Sequence, residues 1–215
     1  MTSAEPTSAG RVVWHAGSVS RAARERLLGQ RGCVAWLTGL SGAGKSTIAR
    51  ALEADLVRRG RAVYVLDGDN VRHGLNADLG FDPADRVENI RRIAHVAGLF
   101  ADAGLIAITA FISPYRAGRE QARAIAGPER FIEVYLDVPV QVCEQRDPKR
   151  LYRQARAGQV DGFTGVSAPY EPPAAPDVRL NTAELDAAAC AARVLDCLEQ
   201  RGFLRPPAAE DAASA

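Results

Sequence analysis

The chain has 215 residues, 47% hydrophobic and 25% charged, a size and mix that suit one globular domain. Lys and Arg total 27 against 26 Asp and Glu, and the net charge of +1 excludes binding to nucleic acid or membrane through broad charge, leaving only local basic sites. The four cysteines, Cys33, Cys143, Cys190 and Cys197, lack metal-ligand spacing and read as packed, reduced thiols. No run reaches the roughly 18 apolar residues that span a bilayer. Met1 to Pro6 has neither the basic nor the apolar region of a secretory signal, so a cytoplasmic protein is expected.

Residues 1–12 and 206–215 are small, polar and rich in Pro or Ala, and are expected to be disordered tails around a domain over 13–205. Within it, the pattern predicts a helix over 20–28 and a short apolar strand over 34–38. The strand runs into Gly39-Leu40-Ser41-Gly42-Ala43-Gly44-Lys45-Ser46, which fills every fixed position of the phosphate-cradling P-loop, G-x-x-x-x-G-K-[ST]. A helix over 45–59 follows, with Ile48, Leu52, Leu56 and Val57 at helical spacing and Gly60 as its stop. Strand, glycine loop and helix together make Gly39 to Thr47 a nucleoside triphosphate site. Backbone N–H groups and the helix N-terminus face phosphate, Lys45 reaches the β/γ-phosphates, and Ser46 offers a hydroxyl to Mg²⁺.

A second strand is predicted over 62–66, closed by Asp67-Gly68-Asp69. A polar turn is one reading. Beside a P-loop strand the other is chemistry, since phosphoryl transfer needs an acid to hold Mg²⁺-bound water and a base near the attacking hydroxyl. A short helix over 71–75 precedes a long one over 85–103, where Asp85 and Glu88 resemble a capping box. Arg86 and Asn89 share a face of its first turn. Arg there opposes the macrodipole unless an anion sits nearby, so a solvated Arg and an anion clamp both stay open.

The third strand, over 106–110, lacks a terminal Asp, which leaves the acidic work to Asp67 and Asp69. It leads to Ile112-Ser113-Pro114, where Ser113 reads first as an N-cap for a helix over 115–125, and otherwise as a substrate contact. After a strand over 131–136 and a helix over 140–146 comes the densest basic stretch, with Arg146, Lys149, Arg150, Arg153 and Arg156. Its helix over 149–157 and the flanking Gly158, Gly162 and Gly165 read as a lid over about 146–165 that closes on phosphates. A weak strand over 177–180 and an Ala/Leu-rich helix over 185–201 complete the alternation. Near-continuous apolar strands alternating with helices imply an α/β doubly wound fold, a mainly parallel sheet with helices on both faces, a helical lid, and a ligand site beyond the strands' carboxyl ends.

These segments resemble adenylyl-sulfate kinase, which phosphorylates the 3′-hydroxyl of adenosine 5′-phosphosulfate (APS). The resemblance runs from Val13 to about Thr182 and rests on the runs 36–47 and 66–76, on Leu79-Gly80-Phe81, Asp85-Arg86, Glu88 to Arg92, Phe111 to Tyr115 and Gly162 to Gly165. The lead-in Val13-Trp14-His15 also matches stand-alone bacterial members. It implies ATP on the P-loop with Mg²⁺ held by Ser46 and Asp67. It implies APS contacts from Asp69, Asn70, Arg72, Phe81, Arg86, Asn89, Ile112, Ser113, Lys149, Gly162 and Phe163. Phe81 and Phe163 suit a stacked adenine, and Arg72, Arg86 and Asn89 suit the phosphosulfate. Lys45, Asp67, Asp69, Ser113 and Lys149 are the implied catalytic group: Asp69 at the 3′-hydroxyl, Asp67 supporting metal-bound water, Ser113 as a phosphoserine intermediate known for the family. A homodimer and a functional link to ATP sulfurylase are family expectations, with no nucleic acid or membrane partner.

Two positions depart from the family pattern, Arg150 where Gly usually follows the lid lysine and Arg179 where an aliphatic residue is usual. A kinase for another metabolite hydroxyl is the alternative enzyme. A GTPase switch would need an N-K-x-D segment, which is missing, and a silent subunit would have lost Asp67, Asp69 or Lys149.

Overall fold

The computed structural model describes His15 and residues 17–206; Val13, Trp14, the tail over 1–12 and, Pro206 apart, the tail over 206–215 lie outside the described residues. Strands β1 (Cys33–Thr38), β2 (Val63–Asp67), β3 (Ile106–Ala110), β4 (Phe131–Leu136) and β5 (Val178–Leu180) form one parallel sheet in the order β2-β3-β1-β4-β5. The helices are α1 (Arg21–Leu28), α2 (Lys45–Arg58), α3 (Gly68–Val71), α4 (Pro83–Asp102), α5 (Arg116–Ala126), α6 (Val140–Arg146), α7 (Leu151–Arg156) and α8 (Ala187–Gln200).

Continuous apolar strands are what a sheet covered on both faces requires, and β1 is buried at every residue. One apolar layer joins Ala35 and Leu37 of β1 to Leu52 and Leu56 of α2 and Val194 and Leu198 of α8. The other joins Val34 and Trp36 to Ile90, Ile93 and Ala97 of α4 and Ala122 of α5. Trp36 lies between Phe111 and Phe131, with ring centroids at 6.2 and 5.6 Å. The doubly wound α/β reading stands. The chain leaves β1 for β2 and β3 on one side and for β4 and β5 on the other, so the crevice of this reversal opens at the end of β1, where the P-loop begins.

Several boundaries differ from the sequence expectations, and four helix starts show why. Asp67 accepts a hydrogen bond from Asp69 N–H and caps α3, which therefore starts at Gly68 rather than at 71. The long helix starts at Pro83, because Asp82 accepts from Asp85 N–H at 2.8 Å and Asp85 accepts from Gly80 N–H at 2.6 Å; Glu88 pairs with Arg91 and Arg92 instead of closing a box. Helix α5 starts at Arg116 behind Tyr115, so Ser113 is not an N-cap and Pro114 precedes the helix. Helix α7 starts only at Leu151, since Arg150 has φ of +57°.

Candidate active site

The donor cradle is local. Helix α2 has Gly44 at its N-cap, with no side-chain cap, so its first N–H groups remain for an anion. Gly42 has φ of +76°, and a Cβ there would lie 2.8 Å from the Cys143 carbonyl, so only glycine fits. Lys45 is buried, and its Nζ donates to Gly39 O at 2.8 Å and Leu40 O at 2.7 Å. Burial lowers its pKa to about 8.

The strand-end acids divide their work. Asp67 is buried; Oδ1 caps α3, and Oδ2 accepts the Ser46 hydroxyl at 2.6 Å. Two hard oxygen donors in contact at the first turn of the P-loop helix fit Mg²⁺, which takes one or two protein ligands and completes its shell with phosphate and water. Asp69 is exposed and forms an ion pair with Lys149, which draws the lid's base onto the end of β2. The sequence-predicted Lys45, Ser46, Asp67, Asp69 and Lys149 thus gather at one edge of the sheet.

On the other flank the loop after α3 and the lid are strapped together by Arg86. Its Nε donates to Phe81 O at 2.7 Å, Nη1 to Thr164 Oγ1 at 2.6 Å and Nη2 to Gly162 O at 2.7 Å. This replaces the solvated-Arg alternative. Arg72 donates to Leu79 O and Gly80 O and lies 4.2 Å from the Phe81 ring centroid. Burial, and then the neighbouring Arg86 charge, lower its pKa, with Asp85 and Asp69 acting the other way. Phe81 is exposed, whereas Phe163 is buried edge-on to Tyr152 at 5.0 Å; the two rings are not both open for stacking in this structure. Asn89 is buried, its Oδ1 accepting from Asn76 Nδ2 at 2.9 Å, while Asn70 is exposed.

Ser113 departs furthest from its expected setting. It is buried with φ of +40°, and its hydroxyl accepts from Trp36 Nε1 at 3.1 Å. Ile112 beside it is half-buried, and its carbonyl accepts from Thr38 Oγ1 at 2.7 Å. Of the lid arginines, Arg146 reaches the cradle, its Nη1 donating to Gly42 O at 3.4 Å. Arg156 pairs with Glu144, and Arg146 holds Thr182 through Oγ1 at 2.8 Å and O at 2.6 Å.

Two supports of the site went unread in the sequence. Thr182 Oγ1 donates to Ala43 O at 2.9 Å, and the Tyr152 hydroxyl donates to Ser41 O at 3.0 Å, so β5's end and α7 both grip the P-loop backbone. Nothing in Asn181-Thr182 marks such a contact. Tyr152 carried a weak signal, as the aromatic residue of a basic helix. Arg179 sits exposed on β5, an edge strand, beside Asp137, which is why an arginine is tolerated there.

The family model described as adenylylsulphate kinase matches residues 31–181. A solved structure of the Mycobacterium tuberculosis APS kinase CysC, in complex with AMPPNP and APS, is 49% identical, covers 79% of this chain and 99% of its own, and has a TM-score of 0.77. The structure of APE1195 is 38% identical across 80% of this chain and 97% of its own, with a TM-score of 0.73. A hexameric APS kinase from Thiobacillus denitrificans is 36% identical and covers 85% of this chain; the match spans 31% of that longer chain, with a TM-score of 0.62. The family's span takes in the P-loop, the acidic strand end and the lid: the chain belongs to the adenylyl-sulfate kinase family.

Proposed function

We propose that the chain transfers the γ-phosphoryl group of ATP to the 3′-hydroxyl of APS, giving 3′-phosphoadenosine 5′-phosphosulfate (PAPS) and ADP. The observation that supports this most is the meeting, at one sheet edge, of the Ser46–Asp67 pair at the donor cradle with the Asp69–Lys149 pair beside it. That puts a metal-competent acid on the donor side and a second, differently partnered carboxylate on the acceptor side. The 49% identical mycobacterial relative, solved with AMPPNP and APS, supports the choice of substrates.

In this reading Lys45 leaves the Gly39 and Leu40 carbonyls for the β/γ-phosphates, which restores its full charge where the transition state is most anionic. Ser46 and Asp67 would hold Mg²⁺, which supplies neutralisation of charge on the phosphates when bound. Asp69 accepts the proton of the 3′-hydroxyl, and its ion pair with Lys149 keeps that carboxylate aimed. Arg72 and Arg86 are the cationic pair for the phosphosulfate, Asn70 and Asn89 are the amide contacts, and Phe81 is the open face for adenine. Ile112 and Ser113 line the far wall, with Gly162 and Phe163 on the lid.

Transfer is direct. Ser113 Oγ is enclosed and already bonded to Trp36, so a phosphoryl group there would have to displace the indole that packs the core. Work in the cytoplasm, as a homodimer and beside ATP sulfurylase, belongs to the same proposal; among the described residues no helix is long and apolar enough to cross a membrane. The test is to mix the purified chain with ATP, Mg²⁺ and APS and to follow ADP and PAPS, with adenosine 5′-monophosphate as rival acceptor. PAPS well above a Lys45→Ala control is expected. Equal turnover of the rival, or none of APS, would refute the assignment.

A further inference from the structure

Arg119, on the second turn of α5, is only 3% exposed and reaches three separate segments with one guanidinium. Nε donates to Glu133 Oε1 on β4 at 2.7 Å, Nη1 to the Ser113 carbonyl at 2.6 Å, and Nη2 to the Glu171 carbonyl at 2.6 Å. Its partner Glu133 is itself only 13% exposed, so a charge pair has been taken out of water here. Well-packed apolar residues would serve stability as well or better at such a place. What apolar residues cannot do is hold two carbonyls at fixed positions from one planar fork.

The carbonyls so held are informative. Ser113 is in the left-handed region at φ of +40°, a conformation that an L-residue keeps only when its surroundings over-determine it. Glu171 lies on the return from the lid, where its N–H donates to Pro114 O at 2.8 Å and its carboxylate accepts from Arg116 N–H at 2.7 Å. One residue before it, Tyr170 meets Thr38 Oγ1 through its hydroxyl at 2.9 Å, and that same Thr38 donates to Ile112 O at 2.7 Å. The strand end over 112–114 and the lid's root over 170–172 are therefore tied to each other, directly by the Glu171 backbone on Pro114 and again through Arg119 and Thr38.

We infer that Arg119 is a positioning residue for the acceptor, fixing the strained Ile112–Pro114 wall and the lid's return segment at one distance from each other. This rests on the reading of Ile112 and Ser113 as part of the acceptor site. It touches neither substrate, and it leaves the donor cradle to its own contacts.

The experiment compares Arg119→Lys, which keeps the charge and loses the fork, with wild type. It measures KM for APS, kcat, the affinity for a non-hydrolysable ATP analogue, thermal stability and amide exchange. The expected result is a rise of about tenfold in KM for APS, the scale of one lost charge-assisted bond, with analogue affinity changed by less than about twofold. Exchange should quicken at Glu171 N–H and over 111–114, and not in α2. Unchanged KM for APS with lowered thermal stability overturns the inference, as does an equal loss of both ligands. If wild type makes no PAPS, the functional reading fails by itself. Exchange then decides about Arg119, and unchanged protection at Glu171 refutes it. If Arg119→Lys does not fold, Glu133→Gln, which removes the carboxylate charge that anchors the Arg119 fork, reads the same tie. A rise of about threefold in KM for APS supports the inference, and no change overturns it.

Discussion

The P-loop and the acceptor wall face the same crevice, yet the first closes on itself through short-range bonds, with Thr182 and Tyr152 as outer supports, whereas the second is built by side chains drawn from distant elements. In the cradle, Ala43 N–H bonds Leu40 O at 3.2 Å, and Lys45 reaches back to Gly39 and Leu40. Across the crevice, Arg86 ties its helix to Gly162 and Thr164, Lys149 reaches Asp69, and Arg119 joins Ser113 to Glu171. A locally closed loop keeps its shape when its surroundings loosen. A wall assembled from long-range contacts does not, because each tie must outweigh the entropy of the segment it orders. Damage to one side should therefore register as lost chemistry, and damage to the other as lost acceptor affinity.

Lys45→Ala strikes the donor side hardest. Removing the buried cation that meets the phosphates should lower kcat about a thousandfold, read by steady-state PAPS formation, with KM for APS nearly unchanged. Asp69→Asn should cost about a hundredfold in kcat while ATP-analogue affinity by calorimetry stays near wild type. Comparable losses in both would show that Asp69 serves the donor. Arg86→Ala removes bonds to Phe81, Gly162 and Thr164, and should raise KM for APS about thirtyfold with a smaller change in kcat.

A pH series sharpens the same contrast. Lys45 has its pKa lowered to about 8 by burial in the ligand-free chain, and phosphate binding favours its charged form. From pH 7 to pH 9 the affinity for an ATP analogue should fall about tenfold, with no matching change for APS. Stability moves the other way. Between about pH 8 and the lysine's ordinary range the unfolded chain binds more protons than the folded one, so this group makes the ligand-free fold more stable as pH rises. The smallest effect is Arg150→Gly. Arg150 has φ of +57°, so glycine should gain up to about 1 kcal/mol and about 2–4 °C in Tm.

The same contrast governs what could be read from the residues alone. The cradle was legible because its function is written in one contiguous run whose glycines and lysine have few other uses. The central strands were legible too, since burial on both faces leaves an unbroken apolar record at 34–38 and 131–136. Helix starts slipped where an acid outside the apolar stripe took the cap, as Asp82 and Asp67 did. Ser113 was misread because serine before a helix is most often a cap, and no local signal reveals a left-handed φ or a tryptophan partner from β1. Arg119, and the partners of Arg86 though not Arg86 itself, were opaque for a simpler reason: one arginine among 27 basic residues does not announce which distant carbonyls it will hold.

The central claim is direct transfer from the cradle to an acceptor at the Asp69 edge. Rapid-quench single-turnover measurement with γ-labelled ATP and APS tests it most directly. Label should enter PAPS at the rate at which ADP forms, with none on the protein and the same course in Ser113→Ala. Label appearing on the protein before PAPS, or ADP forming without PAPS, would contradict it.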